Sequence, residues 1–242
     1  MAIKLLTLDL DNTLWETDPV IARAEQASYD ALITRSPAIA DLYSITGLRD
    51  YKSQLAECYP TMAHQVSRLR LETLRRIALQ AGHAHNDAQD IAEFAFDTFM
   101  AERSNLTLFE GARQALETLA DEFPLIALTN GNASLEVVGL DHLFAAHFNA
   151  EEVGAAKPDA HLFNAALAHQ QVQPHECLHI GDHPHQDIDA ARTVGFHTVW
   201  VNVLDLHWPE AISAADVSIQ HLSQLTDAVK RCQQLAAIHD QA

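Results

Sequence analysis

The strongest constraint on the fold sits at the start of the chain. An apolar run, Ile3-Lys4-Leu5-Leu6-Thr7-Leu8, stops abruptly at Asp9-Leu10-Asp11-Asn12-Thr13-Leu14. Such a run reads as a buried parallel strand, covered on both faces. Open α/β sheets place their sites beyond the carboxyl ends of strands like this one. Two carboxylates two residues apart at that edge are poor core material, because each carries a heavy desolvation cost if left uncompensated. They suit a site where one acid attacks or ligates a Mg²⁺ ion and the other moves a proton. Taken alone, the segment also fits a solvated Asx-rich turn.

The pattern downstream alternates. A helix is expected after Asp18-Pro19, with Asp18 as its N-cap and Pro19 at the first helical position. From about residue 38 to 105 there is little strand signal. Leu69, Leu71, Leu74, Ile77 and Ala78 recur at helical spacing, and Ile91, Phe94, Ala95, Phe96 and Phe99 do likewise. Strands are expected again at 123–128, 177–180, 197–201 and 217–219, with a brief one at Phe148-Asn149. Helices alternate with them, and a last helix runs from about Ser223. Strands alternating with helices imply a parallel sheet with right-handed crossovers. The expected architecture is therefore α/β, a Rossmann-like parallel sheet flanked by helices. Residues 1–15 and 107–242 form that core, and residues 16–106 form an all-helical domain inserted after the first strand.

Composition narrows the partners. With 242 residues, 48% of them hydrophobic, the chain can bury a proper core. Its net charge of -18 repels polyanions, so nucleic acid and anionic membrane surfaces are poor partners. Cys58, Cys177 and Cys232 are odd in number and far apart, which favours a reducing, cytoplasmic setting over a disulfide framework. Asp9 and Asp11 fall where the apolar stretch of a signal peptide would run.

Three further segments carry chemistry. Thr129-Asn130-Gly131 follows a strand and offers a hydroxyl, an amide and closely approachable backbone N–H groups. Lys157-Pro158 is an isolated cation at an expected helix start, where the dipole disfavours it unless it answers a negative charge. A surface ion pair fits Lys157 equally well. If Lys157 serves the site, Lys157→Met is expected to leave stability little changed or raised, yet to cut catalysis. Gly181-Asp182-His183-Pro184-His185-Gln186-Asp187 follows another strand; Asp182 can hold Mg²⁺, and Asp187 can cap a helix or act behind the metal ligands. Carboxylates with a metal, hydroxyl and amide donors, and one cation are the parts needed to hold and split a phosphate monoester.

These four segments, in this order, resemble the motifs of the haloacid dehalogenase-like hydrolases, and the helical insertion resembles that family's cap. The resemblance implies that Asp9 is the nucleophile and Asp11 the general acid/base. It implies that Mg²⁺ is held by Asp9, the Asp11 backbone carbonyl and Asp182. Thr129, with the Asn130 backbone, would bind phosphoryl oxygens, Lys157 would stabilise nucleophile and phosphate, and Asp187 would stand behind the ligands. His183 departs from the Ser or Thr that many members carry after the metal-binding Asp. Asp11 argues against the dehalogenase branch, whose members lack an acid there. Within the phosphatases the pattern resembles the flavin-pathway group, which acts on 5-amino-6-(5-phospho-D-ribitylamino)uracil and on flavin mononucleotide (FMN). The expected activity is a Mg²⁺-dependent phosphomonoesterase acting on a small-molecule phosphate monoester. A phosphomutase with the same aspartyl nucleophile is the alternative, and a non-catalytic metal- or phosphate-binding domain is a second. Trp15, at the entrance to the insertion, is expected to stack on a ring of the substrate.

Overall fold

The computed structural model describes residues 2–239; the expected outer domain limits at residues 1 and 242 lie outside them. Strand β1 covers Leu5–Leu8, every residue of which is buried. The chain then enters five helices: α1 (Thr17–Arg35), α2 (Ala38–Leu42), α3 (Ile45–Cys58), α4 (Val66–Gln80) and α5 (His85–Arg103). Asp18 and Pro19 lie inside the first turn of α1 rather than capping it, where proline is still tolerated because the first N–H groups have no intrahelical acceptor. α1 stops at Arg35, just before Ser36-Pro37, because a residue that precedes proline is biased away from the helical region.

After the insertion come α6 (Ala112–Ala120), β2 (Leu125–Thr129), the short α7 (Leu135–Val138), β3 (Ala146–Asn149) and α8 (Ala150–Val153). They are followed by α9 (His161–Gln170), β4 (Cys177–Gly181), α10 (Ala190–Val194), β5 (His197–Val201), β6 (Val217–Ile219) and α11 (Leu225–His239). The sheet order is β3-β2-β1-β4-β5-β6, and all neighbours pair in parallel. β1 is central and fully buried, which explains its continuous apolar run. The chain winds outward through β2 and β3 on one side of β1 and through β4, β5 and β6 on the other. The carboxyl ends of β1, β2 and β4 therefore meet at the switch point of the sheet.

The chain divides into two compact units. One comprises Met1–Glu16, Thr107–Gly131 and Gly139–Ala242; the other comprises Thr17–Leu106 and Asn132–Val138. The sheet unit packs Leu5, Ile126, Leu128, Leu162, Phe163 and Phe196 into a common core. In the helical unit, Val20, Ala24, Ser28 and Leu32 recur every four residues along α1 and are buried. Alanines at 88, 92 and 95 on α5 are buried too, and small side chains let two helices approach closely. Ser28 is satisfied there, its hydroxyl donating to the Ala95 carbonyl at 2.8 Å.

The segment Asn132–Val138 departs from the expected boundary, which placed all of 107–242 with the sheet. Its polar groups explain the difference: Asn132 Nδ2 donates to Ser67 Oγ at 3.1 Å, and the Ser134 backbone N–H donates to Ser104 Oγ at 3.1 Å. No helix among the described residues is long and apolar enough to cross a membrane. All three cysteines are free.

Candidate active site

The sheet unit alone builds a cleft of about 130 Å³ whose walls include Asp9, Asp11, Thr129, Asn130, Asp182 and Asp187. Asp9 leaves β1 with its backbone still on the sheet, its N–H donating to the Ile180 carbonyl at 2.9 Å. The chain then turns tightly. Asn12 adopts a left-handed φ of 61°, which asparagine tolerates better than most residues. Its N–H donates to the Trp15 carbonyl at 2.8 Å.

That turn decides the place of Trp15, and it corrects the sequence expectation. The side chain is fully buried, at 0% exposure, so no ring face is offered to a substrate. Its indole N–H instead donates to Asp11 Oδ1 at 2.9 Å. A buried indole needs a partner for its N–H, and the carboxylate four residues earlier supplies one. Trp15 thus orients Asp11.

Lys157 is the second correction, because the surface ion pair is excluded. Its side chain is 1% exposed, and its ammonium donates to Asp9 Oδ1 at 2.5 Å, to Asp187 Oδ1 at 2.6 Å and to the Leu128 carbonyl at 2.8 Å. All three N–H bonds of the ammonium are used. Pro158 does not start a helix either: α9 begins at His161, and the Lys157–Pro158 peptide is cis.

Asn130 braces this lysine. Its side-chain Oδ1 accepts from the Lys157 backbone N–H at 2.8 Å, and its Nδ2 donates to the Lys157 carbonyl at 3.0 Å and to Gln186 Oε1 at 3.1 Å. Its side-chain amide is committed to this brace, and the resemblance assigns the phosphate contact to the Asn130 backbone. Thr129 is buried, and its Oγ1 accepts from the Gly131 N–H at 2.9 Å, so its own proton points to another acceptor.

Asp9, Asp182 and Asp187 form one buried cluster, with an oxygen of each within 4.8 Å of the others. Thr13 Oγ1 lies between two of them, 3.2 Å from Asp9 Oδ2 and 3.1 Å from Asp182 Oδ1. Asp187 has both oxygens engaged: Oδ1 with Lys157, and Oδ2 with the His183 N–H at 2.9 Å. It therefore stands behind Asp9 and Asp182. Space enforces this position. A Cβ on Gly181 would lie 2.5 Å from the Asp187 side chain, so only glycine lets Asp187 sit there.

His183 makes a structural contact of its own. Its Nδ1 accepts from the backbone N–H groups of His185 and Gln186, both at 3.2 Å, and so caps the wide helical turn Pro184–Asp189. An imidazole acceptor thereby does the work of a Ser or Thr hydroxyl. Two supports were not read from the sequence. Trp200 Nε1 donates to the Asp182 carbonyl at 2.6 Å, and His179 lies between Thr7 Oγ1 at 2.8 Å and Asp187 Oδ1 at 3.4 Å. Both belong to apolar strands, where their spacing gives no sign of a polar task.

The electrostatics define what the cleft lacks. Burial pushes Asp9 up to about 7, reinforced by Asp187 and Asp11 and opposed by Lys157. Burial likewise pushes Asp182 up to about 8, with Asp9 and Asp187 adding to it. Burial also acts on Asp187, but Lys157 and His179 outweigh it and hold that carboxyl well below its usual range. Lys157 is held above its usual value by Asp187 and Asp9 despite burial. Burial pushes the His179 imidazole below its ordinary value, against the opposing pull of Asp187. Fully ionised, three carboxylates against one ammonium would carry two excess negative charges, and the raised values of Asp9 and Asp182 express the cost of that excess in a buried site. The donors facing one another are all oxygens. A hard divalent cation such as Mg²⁺ fits that donor set and that charge.

The comparisons agree with this geometry. The haloacid dehalogenase-like hydrolase family matches residues 3–195. The chain is 31% identical over 199 residues to the 5-amino-6-(5-phospho-D-ribitylamino)uracil phosphatase YigB of Escherichia coli, covering 82% of this chain and 83% of that one. It is 30% identical to the phosphoserine phosphatase of Thermus thermophilus, covering 83% and 89%. Among solved structures, 2-haloacid dehalogenase from Pseudomonas syringae pv. Tomato superposes with a TM-score of 0.89 at 36% identity, covering 95% of this chain and 99% of that one. The chain belongs to the haloacid dehalogenase-like hydrolases and is built as a phosphomonoesterase of that family.

Proposed function

We propose that the protein is a Mg²⁺-dependent phosphomonoesterase that works through a phosphorylated Asp9. The observation that carries this reading is the pairing of two acids with different tasks. Asp9 is buried, held by Lys157, and cannot easily exchange protons with solvent. Asp11 is half-buried at the mouth of the cleft, and Trp15 sets its orientation. Asp9 attacks phosphorus, forming a P–O bond as the ester P–O bond breaks, and Asp11 gives its proton to the leaving alkoxide. Asp11 then takes a proton from water, whose oxygen attacks phosphorus. Inorganic phosphate leaves and the Asp9 carboxylate is restored. Lys157 and the donors at Thr129 and the Asn130 backbone answer the phosphoryl charge. Mg²⁺, held by Asp9, Asp182 and the Asp11 carbonyl with Asp187 behind them, would neutralise charge between carboxylate and phosphate.

The name of the Pseudomonas relative raises dehalogenation as a second reading. Asp11 weighs against it: an alkyl halide leaves as halide and needs no proton, so a hydrogen-bonded acid beside the nucleophile would have no task. A phosphomutase would use the same two acids and give an isomer instead of phosphate.

For the substrate we propose a small phosphorylated metabolite in a reducing, cytoplasmic setting, with 5-amino-6-(5-phospho-D-ribitylamino)uracil and FMN first among those to test. The likeness to YigB supports that choice. The experiment is a panel of phosphate monoesters and 2-haloacids, assayed with Mg²⁺ and with EDTA. Phosphate release that needs Mg²⁺ and includes a flavin-pathway compound is the expected result. Phosphate release only from other esters would keep the mechanism and remove the substrate, whereas halide release without phosphate release would overturn both.

A further inference from the structure

The helical unit holds a cavity that the catalytic residues do not share. A groove of about 380 Å³ opens between the end of α3, the turn at Pro60–Met62 and α4. That volume lies in the range of small-ligand pockets, about 300–1,000 Å³. Its apolar wall is Leu55, Met62 and Leu71. Tyr59 stands at its edge, 42% exposed.

Charge makes the groove unusual for this protein. Helix α4 carries Arg68, Arg70, Arg75 and Arg76 against one acid, Glu72, in a chain of net charge -18. Arg70 turns away to Glu25 at 3.2 Å. The other three line the groove together with Glu72, so three guanidiniums less one carboxylate leave two positive charges. Arg75 places Nε and Nη2 on Glu72 at 2.8 and 2.9 Å, and Arg76 places Nε on the same carboxylate at 2.6 Å. Each fork has five N–H groups, so further donors remain on both. The Arg76 guanidinium also lies 5.2 Å from the centre of the Tyr59 ring. Glu72 pairs with both Arg75 and Arg76, and Arg68 donates to Gln65 Oε1 at 3.0 Å rather than to an acid, so the four charged groups together keep two positive charges.

We propose that this groove binds a small dianion carrying a planar ring, of the mononucleotide class. The ring stacks at Tyr59 and Arg76 against the apolar wall, and the phosphate meets the donors of Arg68 and Arg75. Stacking on an aromatic face and charge-assisted bonds from guanidinium forks act together on such a ligand. An acidic peptide could match the charge, but it has no ring to place on Tyr59.

The test is calorimetric titration of the full chain in EDTA with AMP, adenosine, ribose 5-phosphate and tetraglutamate. AMP is expected to bind saturably. Tyr59→Ala and Arg76→Gln should each weaken it about tenfold or more, while Tyr59→Phe should hold it near the parent value. Ribose 5-phosphate, which has no ring, should be indifferent to Tyr59→Ala. Phosphate binding at the catalytic cleft is told apart because it does not respond to changes at Tyr59 or Arg76. If Tyr59→Ala fails to fold, Arg76→Gln and Tyr59→Phe carry the comparison. AMP affinity equal in the parent and Arg76→Gln, no saturable AMP binding, or binding of tetraglutamate in preference to AMP would each overturn the proposal.

Discussion

The indole N–H of Trp15 donates to Asp11 Oδ1 at 2.9 Å from a side chain with no exposed surface. A carboxylate that must first give and then take a proton works only in a fixed geometry. Trp15→Phe keeps most of the packing and removes the donor. The turnover number should fall about tenfold or more, since a hydrogen bond to a charged group contributes about 1.5–3 kcal/mol, and KM should change little. Steady-state kinetics on two substrates, one with a ring and one without, checks this. A KM rise confined to the ring-bearing substrate would restore the stacking role instead.

Lys157 bridges two carboxylates with one buried ammonium, and that burial reverses the stability expected from the sequence alone. Lys157→Met leaves Asp9 and Asp187 facing each other without a cation. Removing one partner of a buried pair costs about 3–5 kcal/mol. Urea unfolding in EDTA should show a loss of that order, together with a severe loss of turnover. A variant as stable as the parent would mean that the ammonium is not matched to both acids in the free protein.

Glu25 in the helical unit supplies a pH-dependent part of the stability. Burial pushes its carboxyl up, but Arg49, Arg70 and Lys52 outweigh that and hold it below its ordinary 4.5. A depressed carboxyl binds fewer protons folded than unfolded, so its contribution is present above pH 4.5 and is lost as pH falls through the folded value. The melting temperature of Glu25→Gln should therefore lie below that of the parent at pH 6, and the gap should narrow towards pH 3. A gap that is constant with pH would show that Glu25 acts through packing alone.

The order of elements and the chemistry-bearing acids were legible because both are local. β1 and β4 are continuous apolar runs broken by acids, and that break is itself the sign of a site. α3 was not legible as a separate element, since only Leu55 of its 14 residues is buried and its stripe of Ile45, Leu48 and Tyr51 is only partly covered. The burial of Lys157 was not legible either. It depends on β1, β2 and the 157 loop converging from positions 148 residues apart. Trp15 misled because an aromatic residue at a domain entrance suits a ligand, whereas a turn closed through Asn12 folded it inward. His179 lay hidden in a strand whose other members are apolar, and Trp200 between the apolar residues Val199 and Val201, where an indole reads as core.

The central claim is that Asp9 carries the phosphoryl group, and a quench experiment tests it. The protein is mixed with Mg²⁺ and a ³²P-labelled monoester that it hydrolyses, stopped in acid and digested. Label should appear on the peptide containing Asp9, sensitive to hydroxylamine as an acyl phosphate is. Asp9→Asn should fold normally, take no label and release no phosphate. Phosphate release at the parental rate from a folded Asp9→Asn protein would contradict the account.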